Sequence, residues 1–238
     1  GRGNPGRAGG QRLKRFIDMP PAMLREAFKR GAVAFREAFA SGRTFDFEGR
    51  SYRYFYHPYN LAWRNERAVE VPIALGFLEG SVGKRVLEVG NVLSHYVDVS
   101  HDVVDKYEKA PGVINVDAVE FDPGRRYDLI VSISTLEHIG ADEEPARPGA
   151  ALEAVENLKR LLAPGGKMIA TVPLGLNEEL DRVLYSTANP FEKTRALKRR
   201  TGNTWEQVDP GTVRRCRYRE SSFRADAILV LETGRERD

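Results

Sequence analysis

Four short runs of apolar, mostly β-branched residues constrain the fold of this chain more than any other feature. They are RVLEV (85–89), VINVD (113–117), DLIVSIS (128–134) and KMIATV (167–172). Nearly continuous apolar runs of this length are typical of strands that are covered on both faces. Between the last two runs, Ala150 to Leu162 has the three- and four-residue spacing of a helix. Strands alternating with helical segments predict an α/β fold with a doubly wound, mostly parallel sheet.

The residues before the first of these strands predict a cap rather than part of the sheet. Apolar residues recur at helical spacing from Met19 to Phe39, and TFDFEGRSYRYF (44–55) alternates in the manner of a two-stranded hairpin. Helical spacing resumes from Leu61 to Glu79. We therefore expect a flexible extension over residues 1–18, whose start is rich in Gly and Arg, and a helical and hairpin cap over 19–80.

The rest of the chain, residues 81–238, is expected to form the α/β domain. The run ADAILVLET (225–233) predicts a final strand at or near the sheet edge, with an antiparallel direction as one option. The segment between the last two strands, at about 174–224, is expected to be an insertion that contributes to a substrate pocket.

Composition excludes several classes of protein. The 37 basic and 34 acidic residues give a net charge of +3, which is too small for a polyanion-binding field over the whole molecule. A single cysteine, Cys216, excludes an internal disulfide and a multi-thiolate metal site. No apolar stretch reaches the roughly 18–20 residues that cross a bilayer, and no signal pattern opens the chain. We therefore expect a cytoplasmic protein without membrane contacts.

Ligands of doubly wound sheets bind outside the carboxyl ends of the strands, so the residues that follow each strand carry the functional information. A dinucleotide-binding GxGxxG motif after the first strand would need glycines at positions 90, 92 and 95. The chain has Gly90, Val92 and His95 there. A pyrophosphate needs several close backbone approaches, so this pattern weakens the hypothesis of an NAD-dependent enzyme.

Five segments at or near the strand ends stand in a characteristic order. They are VLEVG (86–90), DVVDKY (102–107), NVDA (115–118), YDLIVSISTLEHIG (127–140) and LLAPGGKMIATVP (161–173). Together they resemble the class I S-adenosylmethionine (SAM) dependent methyltransferases, over about residues 84–173. The fourth and fifth segments are the most specific.

This resemblance implies a cofactor site at the strand ends. Glu88, Gly90 and Asn91 would lie near the methionine end of SAM. Asp105, or its neighbour Lys106, would meet the ribose hydroxyls. Asp117 and Ala118 would face the adenine, and Ser134 with Thr135 would line the pocket between cofactor and acceptor. The predicted cofactor-binding residues are thus Glu88, Gly90, Asn91, Asp105, Lys106, Asp117, Ala118, Ser134 and Thr135.

Two histidines are candidate general bases, because an unperturbed imidazole has a pKa of about 6.5. His138 follows the fourth strand, and its neighbour Glu137 is placed either to orient it or to face solvent. His57 opens the aromatic loop HPYN (57–60), at a place where small-molecule methyltransferases of the family have a lid. The alternative for this loop is a packed connection between hairpin and helix.

Acceptor contacts are predicted at Tyr59, Asn60 and Arg64, the last as an anion clamp. Glu66, Arg67 and Glu70 have the spacing of ion pairs on a helix surface, and we expect them there rather than in a site. The four histidines form no HxH or HExxH pattern, so no metal site is expected.

We therefore expect a SAM-dependent methyltransferase that moves a methyl group to oxygen or nitrogen of a small molecule and releases S-adenosylhomocysteine (SAH). Basic runs at 193–200 and 214–219 suggest an anionic group on that acceptor.

Three alternatives stay open: a non-catalytic binding module, favoured by the single glycine of the first turn; an RNA or protein methyltransferase using the basic runs; and an NAD-dependent enzyme. The sequence STLEH after the fourth strand disfavours nucleic acid, because enzymes that methylate its amino groups usually carry Asp/Asn-Pro-Pro-aromatic there.

Overall fold

The computed structural model describes residues 42–236, together with residues 23, 26 and 28–34. Its strands are β1 (Thr44–Phe47), β2 (Arg50–Arg53), β3 (Val86–Val89), β4 (Asp102–Val104), β5 (Val113–Ile114), β6 (Tyr127–Ile133), β7 (Leu162–Pro173), β8 (Lys193–Arg199), β9 (Trp205–Val208), β10 (Tyr218–Arg219), β11 (Arg224–Ala225) and β12 (Ala227–Gly234). Its helices are α1 (Arg67–Glu79), α2 (Ala150–Arg160) and α3 (Glu178–Leu184). Single-turn 3-10 helices cover Tyr59–Leu61, Leu93–His95, Leu136–His138, Thr201–Asn203, Pro210–Val213 and Glu220–Ser222.

Eight of these strands form one sheet in the order β5-β4-β3-β6-β7-β12-β8-β9. The first five in this order are parallel to one another. Strand β12 is antiparallel to both of its neighbours, and β9 is antiparallel to β8. The predicted α/β class with a mostly parallel, doubly wound sheet is confirmed.

Two hydrophobic cores cover the two faces of this sheet, which explains the apolar runs. On one face, Leu158 of α2 packs in a cluster with Ile130 and Met168. On the other face, Ile73 of α1 and Phe47 of the hairpin pack in a cluster with Ile133. The described part of the cap therefore shares a core with the sheet.

The predicted hairpin is confirmed: β1 pairs with β2 around Glu48 and Gly49, both of which have positive φ. The predicted helix from Leu61 to Glu79 begins later, at Arg67, because residues 59–66 form a 3-10 helix and turns. Of the predicted helix over 19–39, residues 28–34 are helical, as are 23 and 26, and the remainder lies outside the described residues. The predicted extension over 1–18 lies outside them as well.

The final strand is antiparallel to both neighbours and lies third from one edge of the sheet, so of the predicted positions at or near the edge, the one at the edge itself is wrong. β12 pairs with β7 on one side and with β8 on the other, and its residues 227–233 are all buried. The reason is that the segment 174–224 supplies β8 and β9, which extend the sheet beyond β12. In the part of the chain that the structure describes, no helix is long and apolar enough to cross a membrane.

Candidate cofactor and acceptor site

A cavity of about 700 Å³ opens at the carboxyl ends of β3, β4, β5 and β6. Its volume lies in the range of small-molecule and cofactor sites. Three predicted site residues, Glu88, His57 and Arg64, are not part of its wall. The predicted residues that do line it are Tyr59, Asn60, Gly90, Asn91, Asp105, Lys106, Asp117, Ala118, Ser134, Thr135 and His138.

In the turn after β3, Gly90 contributes backbone without a side chain to the cavity wall. This residue has φ +83°, and a β-carbon on it would lie 2.1 Å from Thr135 Oγ1 and 2.7 Å from Thr135 Cγ2. Its N–H donates to the carbonyl of Val104 at 2.8 Å, which ties the turn to β4. Both the backbone conformation and the close approach require glycine here.

Glu88 stabilises this turn from inside the protein and does not face the cavity, contrary to the prediction. Its side chain is fully buried, and Oε1 accepts the backbone N–H groups of Val92 at 2.9 Å and Leu93 at 2.7 Å. Oε2 lies 2.9 Å from His101 Nε2. Both carboxylate oxygens thus have partners inside the protein, so Glu88 is a positioning residue.

Asp105 ties the turn after β4 to the turn after β3. Its Oδ2 accepts the N–H of Asn91 at 3.0 Å, and its Oδ1 accepts those of Tyr107 and Glu108, each at 2.8 Å. Glu108 also lines the cavity, and its Oε1 accepts a bond from the Asn91 amide at 2.9 Å. Glu108 is not among the predicted site residues, because it lies three residues beyond Asp105, which the resemblance indicated.

Lys106 and Asp117 form an ion pair at the third strand end. Lys106 Nζ lies 2.6 Å from Glu143 Oε1 and 2.9 Å from Asp117 Oδ2, and these two bonds raise the pKa of the lysine. Burial would raise the pKa of Asp117, but the N–H of Val119 and the Lys106 ammonium outweigh it and lower that pKa. Asp117 is therefore ionised at neutral pH.

His138 lines the cavity just after β6. Its Nδ1 lies 2.7 Å from Asp142 Oδ2, and its side chain is 47% exposed. Glu137, which precedes it, is 1% exposed, and neither of its carboxylate oxygens has a hydrogen-bond partner among the described residues. Burial raises the pKa of Glu137 well above the usual range. Of the two options for Glu137, facing solvent is therefore wrong.

The HPYN loop lies against the turn after β3. The Tyr59 ring stacks on the His95 ring with centroids 4.2 Å apart, and the Tyr59 hydroxyl is 3.2 Å from His95 Nε2. The same Nε2 lies 2.9 Å from Glu108 Oε1. Three groups from separate parts of the chain therefore meet in the cavity wall.

The structure does not place His57 and Arg64 in that wall. The His57 ring packs edge-on against Tyr96, and its Nδ1 accepts the N–H of Tyr59 at 3.2 Å. The Arg64 guanidinium lies over the Trp63 ring. The turns over 59–66 direct Arg67, rather than Arg64, to the cavity.

The expectation that Glu66, Arg67 and Glu70 lie on a helix surface is wrong, because the start of α1 is buried. Arg67 Nη1 donates to Glu70 Oε2 at 2.5 Å, and the two side chains are 10% and 0% exposed. Glu70 Oε1 accepts the Ser134 hydroxyl at 2.6 Å, while Glu66 Oε2 accepts the N–H of Ala225 at 2.9 Å. Arg67 thereby becomes a cavity residue that sequence spacing did not reveal.

The segment 174–224 contributes nothing to the wall of this cavity, contrary to expectation. Lys193 and Arg195 pair with Glu232 of β12 instead, and Arg199 pairs with Glu66. Among the described residues, no group of three or more His, Cys, Asp or Glu side chains could hold a metal ion.

The chain matches a family model described as a methyltransferase domain over residues 63–226. No curated protein sequence matches it. Among solved structures, it is similar to the CcbJ methyltransferase from Streptomyces caelestis, with 14% identity and a TM-score of 0.36 over 68% of this chain and 88% of that one. It is also similar to the N-methyltransferase NodS from Bradyrhizobium japonicum, crystallised with SAH, with 15% identity and a TM-score of 0.37 over 71% and 87% of the two chains. Because the family model covers more than half of the chain, this protein belongs to the methyltransferase domain family.

Proposed function

We propose that the protein binds SAM in the cavity at the ends of β3 to β6 and transfers its methyl group to nitrogen or oxygen of a small-molecule acceptor. The observation that carries this proposal is the bare turn at Gly90, whose backbone lies against Thr135 in the wall of a cavity of about 700 Å³. Thr135 fills the space of the missing side chain, and the backbone of Gly90 forms part of the cavity wall, where a ligand can contact it directly.

The polar groups of the wall fit the parts of SAM. Ionised Asp117, with the adjoining Ala118 backbone, suits the adenine amino group. Glu108, whose backbone N–H is held by Asp105, offers a carboxylate for the ribose hydroxyls. Arg67 suits the methionine carboxylate, because its Nε is buried and has no hydrogen-bond partner among the described residues.

SAM supplies a methyl group that its sulfonium already activates for transfer. The protein must therefore hold an acceptor in line with that methyl group and exclude water. Ser134 and Thr135 lie at the end of β6, where we place the acceptor. With its Nδ1 held by Asp142, His138 would keep Nε2 available to accept a proton from a hydroxyl acceptor.

A small acceptor suits this cavity better than a polymer. Tyr59 and Asn60 of the HPYN loop form part of its wall. Several basic residues that an RNA-binding surface would use are paired with acids: Arg195 with Glu232, Arg200 with Glu206 and Arg219 with Asp226. These pairs lower the positive charge available to a phosphate backbone.

The test is isothermal titration of the protein with SAM, SAH and NAD, for the wild type and Asp117→Ala. We expect SAM and SAH to bind and NAD not to bind, and Asp117→Ala to weaken SAH binding by about tenfold or more. Asp98→Ala, which removes an exposed carboxylate outside the cavity wall, is the matched control and should bind as the wild type does. If the wild type binds neither SAM nor SAH, the proposal fails and a non-catalytic module replaces it.

A further inference from the structure

The carboxylate of Glu137 lies behind the cavity wall, 3.7 Å from the Nε2 atom of His138, which lines that wall, and it lacks a donor. The side chain is 1% exposed, and neither oxygen has a hydrogen-bond partner among the described residues. His138 Nε2 lies 3.7 Å from Glu137 Oε1, which is too far for a hydrogen bond. A buried carboxylate in this state is costly unless a donor meets it, so it points to a ligand group.

The charged groups around Glu137 do not supply that donor. From α1 it faces Glu66, Arg67 and Glu70, and from β10 it faces Tyr218. Arg67 Nη1 is already bonded to Glu70, as described above. The guanidinium of Arg199 lies 3.4 Å from Glu66. Glu66 and Glu70 are thus paired with arginines, whereas among the described residues Glu137 has no hydrogen bond to a guanidinium.

The cavity as a whole also carries an excess of acid. The two cations in its wall are Arg67 and Lys106. The acids in its wall are Asp105, Glu108, Asp117, Asp142 and Glu143. A field of this sign disfavours an anionic acceptor, which the basic runs of the sequence had suggested, and favours a cation.

We propose that the acceptor is an amine, which binds as an ammonium ion with its N–H groups directed to the Glu137 carboxylate beside Ser134 and Thr135. This inference rests on the proposed function. The His138 imidazole lines the cavity and is half exposed, with Nε2 3.7 Å from Glu137 Oε1. In the proposed binding mode the ammonium takes the place of this imidazole beside the carboxylate.

The same contact provides the proton transfer that an ammonium acceptor needs. Glu137 accepts one proton, the freed nitrogen lone pair bonds to the methyl carbon, and the carbon–sulfur bond breaks with its electron pair remaining on sulfur. The products are the methylated ammonium, SAH and protonated Glu137, which later releases its proton to solvent. Burial raises the pKa of Glu137, and Glu70 and Glu66 add to this effect against Arg67, so the carboxylate is a stronger proton acceptor than a solvated one.

The test is titration of the SAH-loaded protein with three probes that differ in one functional group: 2-phenylethylamine, 2-phenylethanol and phenylacetate. We expect the amine to bind about tenfold more tightly than the other two, or better. Glu137→Gln keeps the shape and removes the charge. It should weaken amine binding by about tenfold while leaving SAH affinity unchanged.

Glu156→Gln removes an exposed carboxylate on α2 and should leave both affinities as in the wild type. Glu137→Asp keeps the charge and should still prefer the amine to the alcohol, which covers the case in which the Gln variant does not fold. If the alcohol or the acid binds as tightly as the amine, or if Glu137→Gln binds the amine normally, the inference is wrong while the SAM assignment stands. Failure of the wild type to bind SAH would overturn both.

Discussion

Gly90 and Thr135 are in such close contact that a β-carbon at position 90 would lie 2.1 Å from Thr135 Oγ1. Gly90→Ala is therefore expected to lower the free energy of unfolding by about 2–4 kcal/mol, from backbone strain and overpacking together. Chemical denaturation measures this loss. Titration should show weaker SAH binding in the same variant.

Gly83 offers a matched control, since its φ of +78° resembles that of Gly90 but nothing lies within 4 Å of its missing β-carbon. Gly83→Ala should lose only about 1 kcal/mol, from backbone strain alone. Adding Thr135→Gly to Gly90→Ala should recover part of the loss. Equal losses at positions 83 and 90 would show that the contact with Thr135 contributes nothing.

The Arg67–Glu70 pair provides a second prediction, because it is buried. Arg67→Met should lower the free energy of unfolding by about 3–5 kcal/mol, since it leaves Glu70 without its cation. Arg67→Met combined with Glu70→Leu should lose less than Arg67→Met alone. The exposed pair Arg147–Glu153 is the control, and breaking it should change stability by no more than about 1 kcal/mol. Urea denaturation of the wild type, Arg67→Met, the double variant and the variant of the exposed pair measures these differences. A double variant that is less stable than Arg67→Met would contradict the prediction.

The parallel half of the sheet could be predicted from sequence because burial on both faces leaves a simple signal. In β6, every residue except Asp128 is buried, so its sequence is almost continuously apolar. Strand β8 has no such signal, since KTRALKR has charged residues at both ends. Its Lys193 and Arg195 bond to Glu232, a partner 37 or more residues away along the chain. A pattern confined to one segment cannot reveal that pairing.

The candidate site, like the sheet, could be predicted from sequence only in part. Strand ends meet at one edge of a parallel sheet, and the resemblance to the methyltransferases placed Gly90, Asp105 and Asp117 at that edge, where all three line the cavity. Arg67 and Glu70 have a three-residue spacing that occurs in surface pairs and in buried pairs alike. Their burial depends on how α1 packs against the sheet, which the spacing does not predict. Glu88 has the right position in the chain, but its carboxylate turns to the N–H groups of Val92 and Leu93.

Asp181 on α3 gives a prediction of pH dependence. Burial raises its pKa to about 6, against the N–H of Gly175, which Oδ2 accepts at 2.8 Å. Because the folded-state pKa lies above the unfolded value, folding favours the protonated form. The contribution of the Asp181 carboxyl to the free energy of unfolding is greatest below about pH 4, and it is lost as the pH rises through about 6.

Asp181→Asn should therefore match the wild type near pH 4 and exceed its free energy of unfolding by about 1–2 kcal/mol at pH 7, a figure reduced for partial exposure. Urea denaturation at intervals from pH 4 to 7 measures the difference between the two proteins. Asp122→Asn, at an exposed aspartate, should keep the wild-type dependence. If the free energies of unfolding of Asp181→Asn and the wild type depend on pH in the same way, the pKa of Asp181 is not shifted.

The contact of Tyr59 with His95 predicts how fast ligand leaves the cavity. The ring stacks on the imidazole at 4.2 Å and the hydroxyl lies 3.2 Å from Nε2, so Tyr59 both covers the site and holds the loop in place. Tyr59→Phe keeps the stacking and removes the hydroxyl, and we expect SAH to dissociate about threefold faster. Tyr59→Ala removes both interactions and should increase the rate by about tenfold or more.

Stopped-flow displacement of SAH measures these rates. Tyr185→Phe is the control, because it removes a hydroxyl that donates to the Pro210 carbonyl at 3.0 Å, away from the cavity wall. It should leave the rate unchanged. If Tyr59→Ala releases SAH as slowly as the wild type, Tyr59 does not cover the ligand and the prediction is wrong.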